Sequence, residues 1–303
     1  MSILTLKGAR WVTVRQHRRA LWTLPAAVAV SLAVFVVLRW RAAGAPPRTG
    51  ANPFRDLEEV LGYGGLAALL LPLLVGAFVA GPMVARELES GTYRLALTQS
   101  STPRAWLASK IVVAAVTAVA CAAAFGLVHR FARLPLTTVY EYSWAEPGPY
   151  AELGTVLPAY CLLGVALGAL VGQFVRRTIA AMAVTGLVTG LVMAVLGAVR
   201  WSFVPARTVT APLGSPYPYP PHDAFTTDFG LVTSSGGRLP EWACTRSSSL
   251  DHCPAELNVT GQYVDYHPYA DYWPTQSIET AAVLVLAALA LWGAFAVLRS
   301  RHP

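Results

Sequence analysis

Residues 153–199 read LGTVLPAYCLLGVALGALVGQFVRRTIAAMAVTGLVTGLVMAVLGAV, two apolar runs separated by Arg176 and Arg177. At 1.5 Å rise per residue, each run approaches the roughly 20 residues that cross a bilayer. A connection this short makes the two helices antiparallel, so the stretch predicts a membrane hairpin. Gly164, Gly168 and Gly172 recur every four residues in its first helix, as Gly186 and Gly190 do in its second. That spacing gathers small residues on one face and lets backbones approach closely, which is how helices associate where lipid removes the hydrophobic drive.

Four further runs of the same kind lie outside the hairpin, at Ala20–Leu38, Val60–Gly81, Ala105–Val128 and Ser277–Leu298. Together they predict an all-α integral membrane fold of six transmembrane helices. Composition agrees: 55% of residues are hydrophobic and 13% charged, against roughly 25% charged in an ordinary soluble domain. Away from their ends, the six runs contain no Asp, Glu, Lys or Arg except Lys110. The first run lacks a small-x-small cleavage site before Arg39 and reads as a retained helix, not a secretory signal. Pro72 and Pro158 are expected to kink their helices.

Charge orients the chain, because cytoplasmic loops favour Lys and Arg. With both termini inside, the inner segments hold 13 basic and 2 acidic residues and the outer segments 10 basic and 14 acidic. The net charge of +7 thus reflects orientation and is no nucleic-acid footprint.

This divides the chain into four parts. Residues 1–19 mix Trp11 and aliphatics with five basic residues, suited to a cytoplasmic interfacial helix or to a basic flank. Residues 20–199 hold helices one to five with an inner loop at 82–104, residues 200–276 form an extracellular segment, and residues 277–303 are helix six and its tail. The outer loops Arg39–Glu59 and His129–Glu152 carry several prolines and are expected to be irregular. In the long outer segment the stretch Pro212–Pro221 favours extended polyproline geometry. Tyr263, Tyr266, Tyr269, Tyr272 and Trp273 follow as aromatics expected at a membrane surface. Cys244 and Cys253, on the oxidising side, suit a disulfide, with a metal site using Asp251 and His252 as the alternative. Cys121 and Cys161 lie within helices as small packing residues. Asn258-Val259-Thr260 has the form of a glycosylation acceptor, which only a eukaryotic secretory pathway would use.

The most informative connector is the inner loop after helix two, GPMVARELESGTYRLALTQS at residues 81–100. Gly91 suits a left-handed helix end, and Thr102-Pro103 suits the cap and first turn of the next helix. Residues 92–100 are expected to form a short helix between them. Ala85 to Thr92, Leu95 to Ser100, Trp106 and Lys110 resemble the ABC-2 type transporter permeases, as do Tyr266-His267-Pro268 through Tyr272-Trp273-Pro274, Gln276 and Ile278-Glu279-Thr280. The resemblance is to six-helix actinobacterial transmembrane subunits and spans most of the chain, although the long outer segment carries no matching pattern.

That resemblance implies a homodimeric permease in a bacterial plasma membrane, paired with a separate ATPase subunit that binds ATP and Mg. It places the contact with the ATPase at Arg86, Glu87, Glu89, Gly91, Thr92 and Arg94, with Thr98 and Gln99 nearby. It suggests export, and the scarcity of charge within the helices suits an apolar or amphipathic cargo such as a drug, antibiotic, lipid or peptide. Independently, Lys7 and Lys110 are the chain's two lysines and neither follows a glycine, so it has no phosphate-binding loop of its own and would need an outside motor. No cofactor is expected in this chain. Two other classes fit less well: a secondary transporter usually needs mid-membrane acids or histidines, and an intramembrane enzyme needs a catalytic grouping. A non-transporting membrane anchor in an ATPase-linked sensory or assembly complex is the alternative.

Overall fold

A computed structural model describes residues 9–44, 53–93, 102–134, 136, 143–244 and 255–301. Six of its helices or helix runs are long and apolar enough to cross a membrane: Leu21–Ala43, Arg55–Glu89, Pro103–Arg133, Val156–Phe174, Thr178–Ser202 and Tyr269–Arg301. In chain order the elements are α1 (Ala9–Ala43), α2 (Arg55–Leu74), a π-helical segment (Val75–Ala80), α3 (Gly81–Glu89), α4 (Pro103–Arg133), α5 (Pro147–Leu153), α6 (Val156–Phe174) and α7 (Thr178–Val199). Strands β1 (Arg207–Pro212), β2 (Phe225–Thr233), β3 (Arg238–Pro240) and β4 (Val259–His267) follow, and α8 (Tyr272–Arg301) closes the chain.

Helix α6 is the hub of the bundle and packs on α2, α3, α4, α7 and α8. Its glycines explain how. A methyl group on Gly164 would stand 2.7 Å from the Pro72 carbonyl oxygen, and one on Gly168 would stand 2.7 Å from the Gly81 nitrogen. The α6 glycine face is therefore the bed in which the α2–α3 run lies, backbone against backbone. Leu157, Cys161 and Val165 of α6 complete an apolar cluster with Val75, Val79 and Met83 and with Ala114 and Ala118 of α4. Cys121 and Cys161 are buried free thiols in that packing. By contrast, Ile179, Leu187, Leu191 and Val195 of α7 stay exposed, as expected of a helix whose outer face meets lipid or another protein.

Three expectations are corrected. The fold is mostly helical but not all-α: residues 207–267 contribute a four-stranded antiparallel sheet in the order β1-β4-β2-β3. Threonine, valine and aromatic residues in the strands supply the pleated, half-buried surface that sheets favour. Tyr263 and Tyr266 accordingly belong to β4, where Tyr263 is buried and Tyr266 half-buried. Residues 9–19 are the opening turns of α1, continuous with its apolar part, and so are not a separate interfacial helix. Within the loop expected between His129 and Glu152, α4 runs on to Arg133 and α5 covers Pro147–Leu153, so those residues are helical and not irregular.

An aromatic knot joins the sheet to the helix ends. The Trp144 ring lies 5.6 Å from that of Trp201, 5.9 Å from Tyr272 and 6.4 Å from Phe225 of β2, and its indole N–H donates to the Asp223 carbonyl at 2.7 Å. Trp201 also meets His267 of β4 at 5.6 Å. Such edge and tilted ring pairs each contribute about 0.5–1.5 kcal/mol beyond area burial.

Candidate coupling site

The segment singled out by its charge pattern forms the end of the bundle opposite the sheet. Helix α3 stops at Ser90, and Gly91 takes the left-handed conformation at φ +71° that a helix exit favours. The α4 helix begins where Thr102 accepts the Ala105 N–H at 3.2 Å, with Pro103 in the first turn. Arg94, Thr98 and Gln99, and most of the short helix expected at residues 92–100, fall outside the described residues.

Glu87 and Glu89 stand two residues apart on α3 and reach different helices. Glu87 accepts the Trp106 indole N–H at 2.7 Å on one oxygen and the Lys110 ammonium at 2.7 Å on the other. Lys110 is only 3% exposed, so this carboxylate supplies the anion that a buried lysine requires. Lys110 also sits 5.5 Å from the Trp106 ring centroid, which adds a cation–π contact. Glu89 instead takes the backbone N–H of Thr178 at 2.9 Å and its hydroxyl at 2.5 Å. Thr178 is the first residue of α7, whose N-cap Arg177 makes no side-chain cap. A carboxylate from α3 therefore caps α7, where unsatisfied N–H groups and the helix dipole both favour negative charge.

The remaining site residues differ in kind. Arg86 is exposed and has no ion-pair partner among the described residues. The Thr92 hydroxyl lies 2.9 Å from that of Ser90 at the exposed turn. Leu88 and Tyr93 pack on Trp106, Leu107 and Leu298, which adds α8 to the assembly. Alpha8 is further held where Gln173 donates to the Ala294 carbonyl at 2.9 Å and Arg301 to the Gln173 carbonyl at 2.5 Å. Of these partners, only Trp106 and Lys110 stand out in the sequence. Thr178 carried a readable signal, a hydroxyl residue opening an apolar run, but nothing local shows that its cap comes from residue 89.

The residues before and within helix six have a structural task at the sheet end. Gln276 accepts the N–H groups of Thr155 and Val156 at 3.1 and 3.2 Å, capping α6, and donates to the Tyr150 carbonyl at 2.6 Å. Glu279, fully buried, binds Arg200 through both oxygens at 2.7 and 2.9 Å and accepts the Tyr160 hydroxyl at 2.7 Å. Thr280 meets Thr155 at 2.8 Å. A second buried group joins Glu152 to His129 at 2.6 Å and to Arg133 at 2.5 Å. The bundle thus holds more charge than the sequence suggested, placed near helix ends and paired.

Two helices clamped to one short charged helix at the end of the Arg55–Glu89 run is an arrangement suited to transmitting force. Residues 39–200, which include all of it except α8, match the family described as ABC-2 membrane transporter related. The chain belongs to that family. It is a transmembrane permease component, and α3 of this ABC-2 related permease closes the second of its six runs that are long and apolar enough to cross a membrane. No curated protein and no solved structure matches the chain. Among the described residues, no three His, Cys, Asp or Glu side chains gather as a metal site. Cys244 is buried, while Cys253 lies outside the described residues, as do Asp251 and His252.

Proposed function

We propose that this permease is driven by a separate ATPase subunit that docks on α3 and the turn after it, and that it exports an apolar or amphipathic compound. Two permease copies and two ATPase subunits form the working unit, with both termini and the α3 end in the cytoplasm of a bacterium and the sheet outside. ATP and Mg are held by the partner. The observation that carries this reading is the divided attachment of α3: Glu87 binds α4 and Glu89 binds α7. A push on α3 by a closing ATPase dimer is thereby delivered to two membrane helices at once, through charge-assisted bonds of the strong class. Arg86, exposed beside them, is available to the partner.

The test compares the wild-type complex with Glu87→Ala plus Glu89→Ala, reading ATP hydrolysis together with efflux of an amphipathic dye and of a fluorescent phospholipid analogue. Hydrolysis that continues while efflux falls at least tenfold supports the coupling role. An ATPase that never co-purifies, together with a variant indistinguishable from wild type, overturns it and favours an anchor that moves no cargo.

A further inference from the structure

The continuous helical run Arg55–Glu89 changes its bonding pattern at Val75–Ala80, where six residues are π-helical. The Gly81 N–H reaches back five residues to the Gly76 carbonyl, and the Val75 N–H is shared between the carbonyls of Leu71 and Pro72. Prolines flank the segment at positions 72 and 82. Each lacks an N–H, which deprives the carbonyls of Ala68 and Phe78 of their ordinary α-helical donors. The ladder is thus already interrupted on both sides, and a change of register between the prolines sacrifices little.

The surroundings are shaped for such a change. Val75, Gly76, Ala77, Val79 and Ala80 are buried; Gly76, Ala77 and Ala80 face the small residues Gly164 and Gly168 of α6 and Gly186 of α7, while Val75 and Val79 pack in the apolar cluster with Leu157, Cys161 and Val165. On the glycine side the backbones meet with few side chains between them. The exception is Thr185 of α7, fully buried, with its methyl beside Gly76 and its hydroxyl beside Gly81. Among the described residues that hydroxyl has no hydrogen-bond partner. In lipid an unbonded backbone group costs several kcal/mol, so a spare hydroxyl at the π segment is the partner that a released Gly81 N–H or Gly76 carbonyl would need. Π-helical turns inside α-helices recur at functional positions.

We propose that Val75–Ala80 is a joint that exchanges π and α bonding, letting α3 turn relative to α2, with Thr185 bonding the groups released on the way. Loss of the extra residue turns one flank against the other by up to about 100° and moves it by roughly 1.5 Å, the increments of one helical residue. Because Glu87 and Glu89 fasten α3 to α4 and α7, the turn converts movement at the coupling end into rotation of α2 at the sheet end. What drives the joint rests on the permease–ATPase reading; its existence does not.

Two measurements test it. Amide hydrogen exchange on the chain alone in nanodiscs is expected to be at least tenfold faster at residues 76–81 than at residues 66–71, and to slow in Thr185→Val while Thr185→Ser keeps the fast rate. Equal protection of the two stretches, or a Thr185→Val variant that exchanges like wild type, overturns the joint. Spin labels on Leu66→Cys and Ser90→Cys, about 36 Å apart along the helix, are then read in the complex with its ATPase. A shift of several ångströms on ATP binding, abolished by Thr185→Val, supports the coupling role, and an unmoved distance overturns it. If no ATPase associates, the proposed function fails, and the exchange measurement still decides the joint.

Discussion

Lys110 depends on Glu87 more than Glu87 depends on Lys110: the lysine is 3% exposed and the carboxylate 13%. Removing the acid leaves a buried cation unpaired, a change that costs about 3–5 kcal/mol in buried pairs, whereas replacing both charges by apolar groups is often neutral. Glu87→Ala should therefore lower the midpoint of thermal unfolding markedly, and Glu87→Leu with Lys110→Met should restore most of it while leaving efflux impaired. The same comparison applies to Arg200 and Glu279. Arg200→Ala is expected to lower the unfolding midpoint, and Arg200→Met with Glu279→Leu to lower it less, although here the Tyr160 hydroxyl also loses its acceptor. At this scale the sequence marked Glu87, Glu89, Trp106, Lys110 and Glu279 by their resemblance to a pattern. It did not show which residue each would bind, because partners such as Glu89 and Thr178 are separated by 89 positions and meet only when α3 and α7 pack.

Among the elements, the α6 glycine face makes the sharpest forecast. A methyl at Gly168 would press on the Ala80 side chain at 2.6 Å and the Gly81 nitrogen at 2.7 Å. Overpacking of this kind costs about 1–3 kcal/mol, and here the obstacle is backbone. Gly168→Ala should weaken the fold, and Gly168→Leu should prevent recovery of monodisperse protein in detergent, as size-exclusion chromatography would show. Gly197, with nothing within 4 Å of an added methyl, is the control and should accept alanine. The glycine spacing was legible as a close-packing face, since it follows directly from helical periodicity. Its partner was not, because α2, α3 and α7 all lie within reach of such a face. Nor was the π segment, which lies between two prolines and against the α6 glycine face.

For the whole molecule, orientation is the property to test. If charge sets it as proposed, a membrane-impermeant maleimide should label Ser235→Cys in intact cells and Arg177→Cys only after the membrane is opened. Ser235 lies on the turn between β2 and β3, and Arg177 at the α6–α7 connection, so the two report opposite ends of the bundle. A Cys244–Cys253 bond is proposed to restrain the sheet domain; reduction should then lower its stability by about 2–3 kcal/mol, the effect of closing a loop near ten residues, read as faster proteolysis of residues 200–276. By itself the sequence determined that six helices are long and apolar enough to cross a membrane, because spanning lipid demands long uncharged runs and nothing else in the chain competes with that signal. It also determined the helix exit at Gly91 and the cap at Thr102, which are local events. Only the tertiary structure decided that residues 207–267 pair into a sheet, that α6 is the hub, and that Glu87 and Glu89 divide α3 between two helices. Those outcomes depend on contacts between distant segments, where each group takes whatever partner the packed backbones bring within bonding distance.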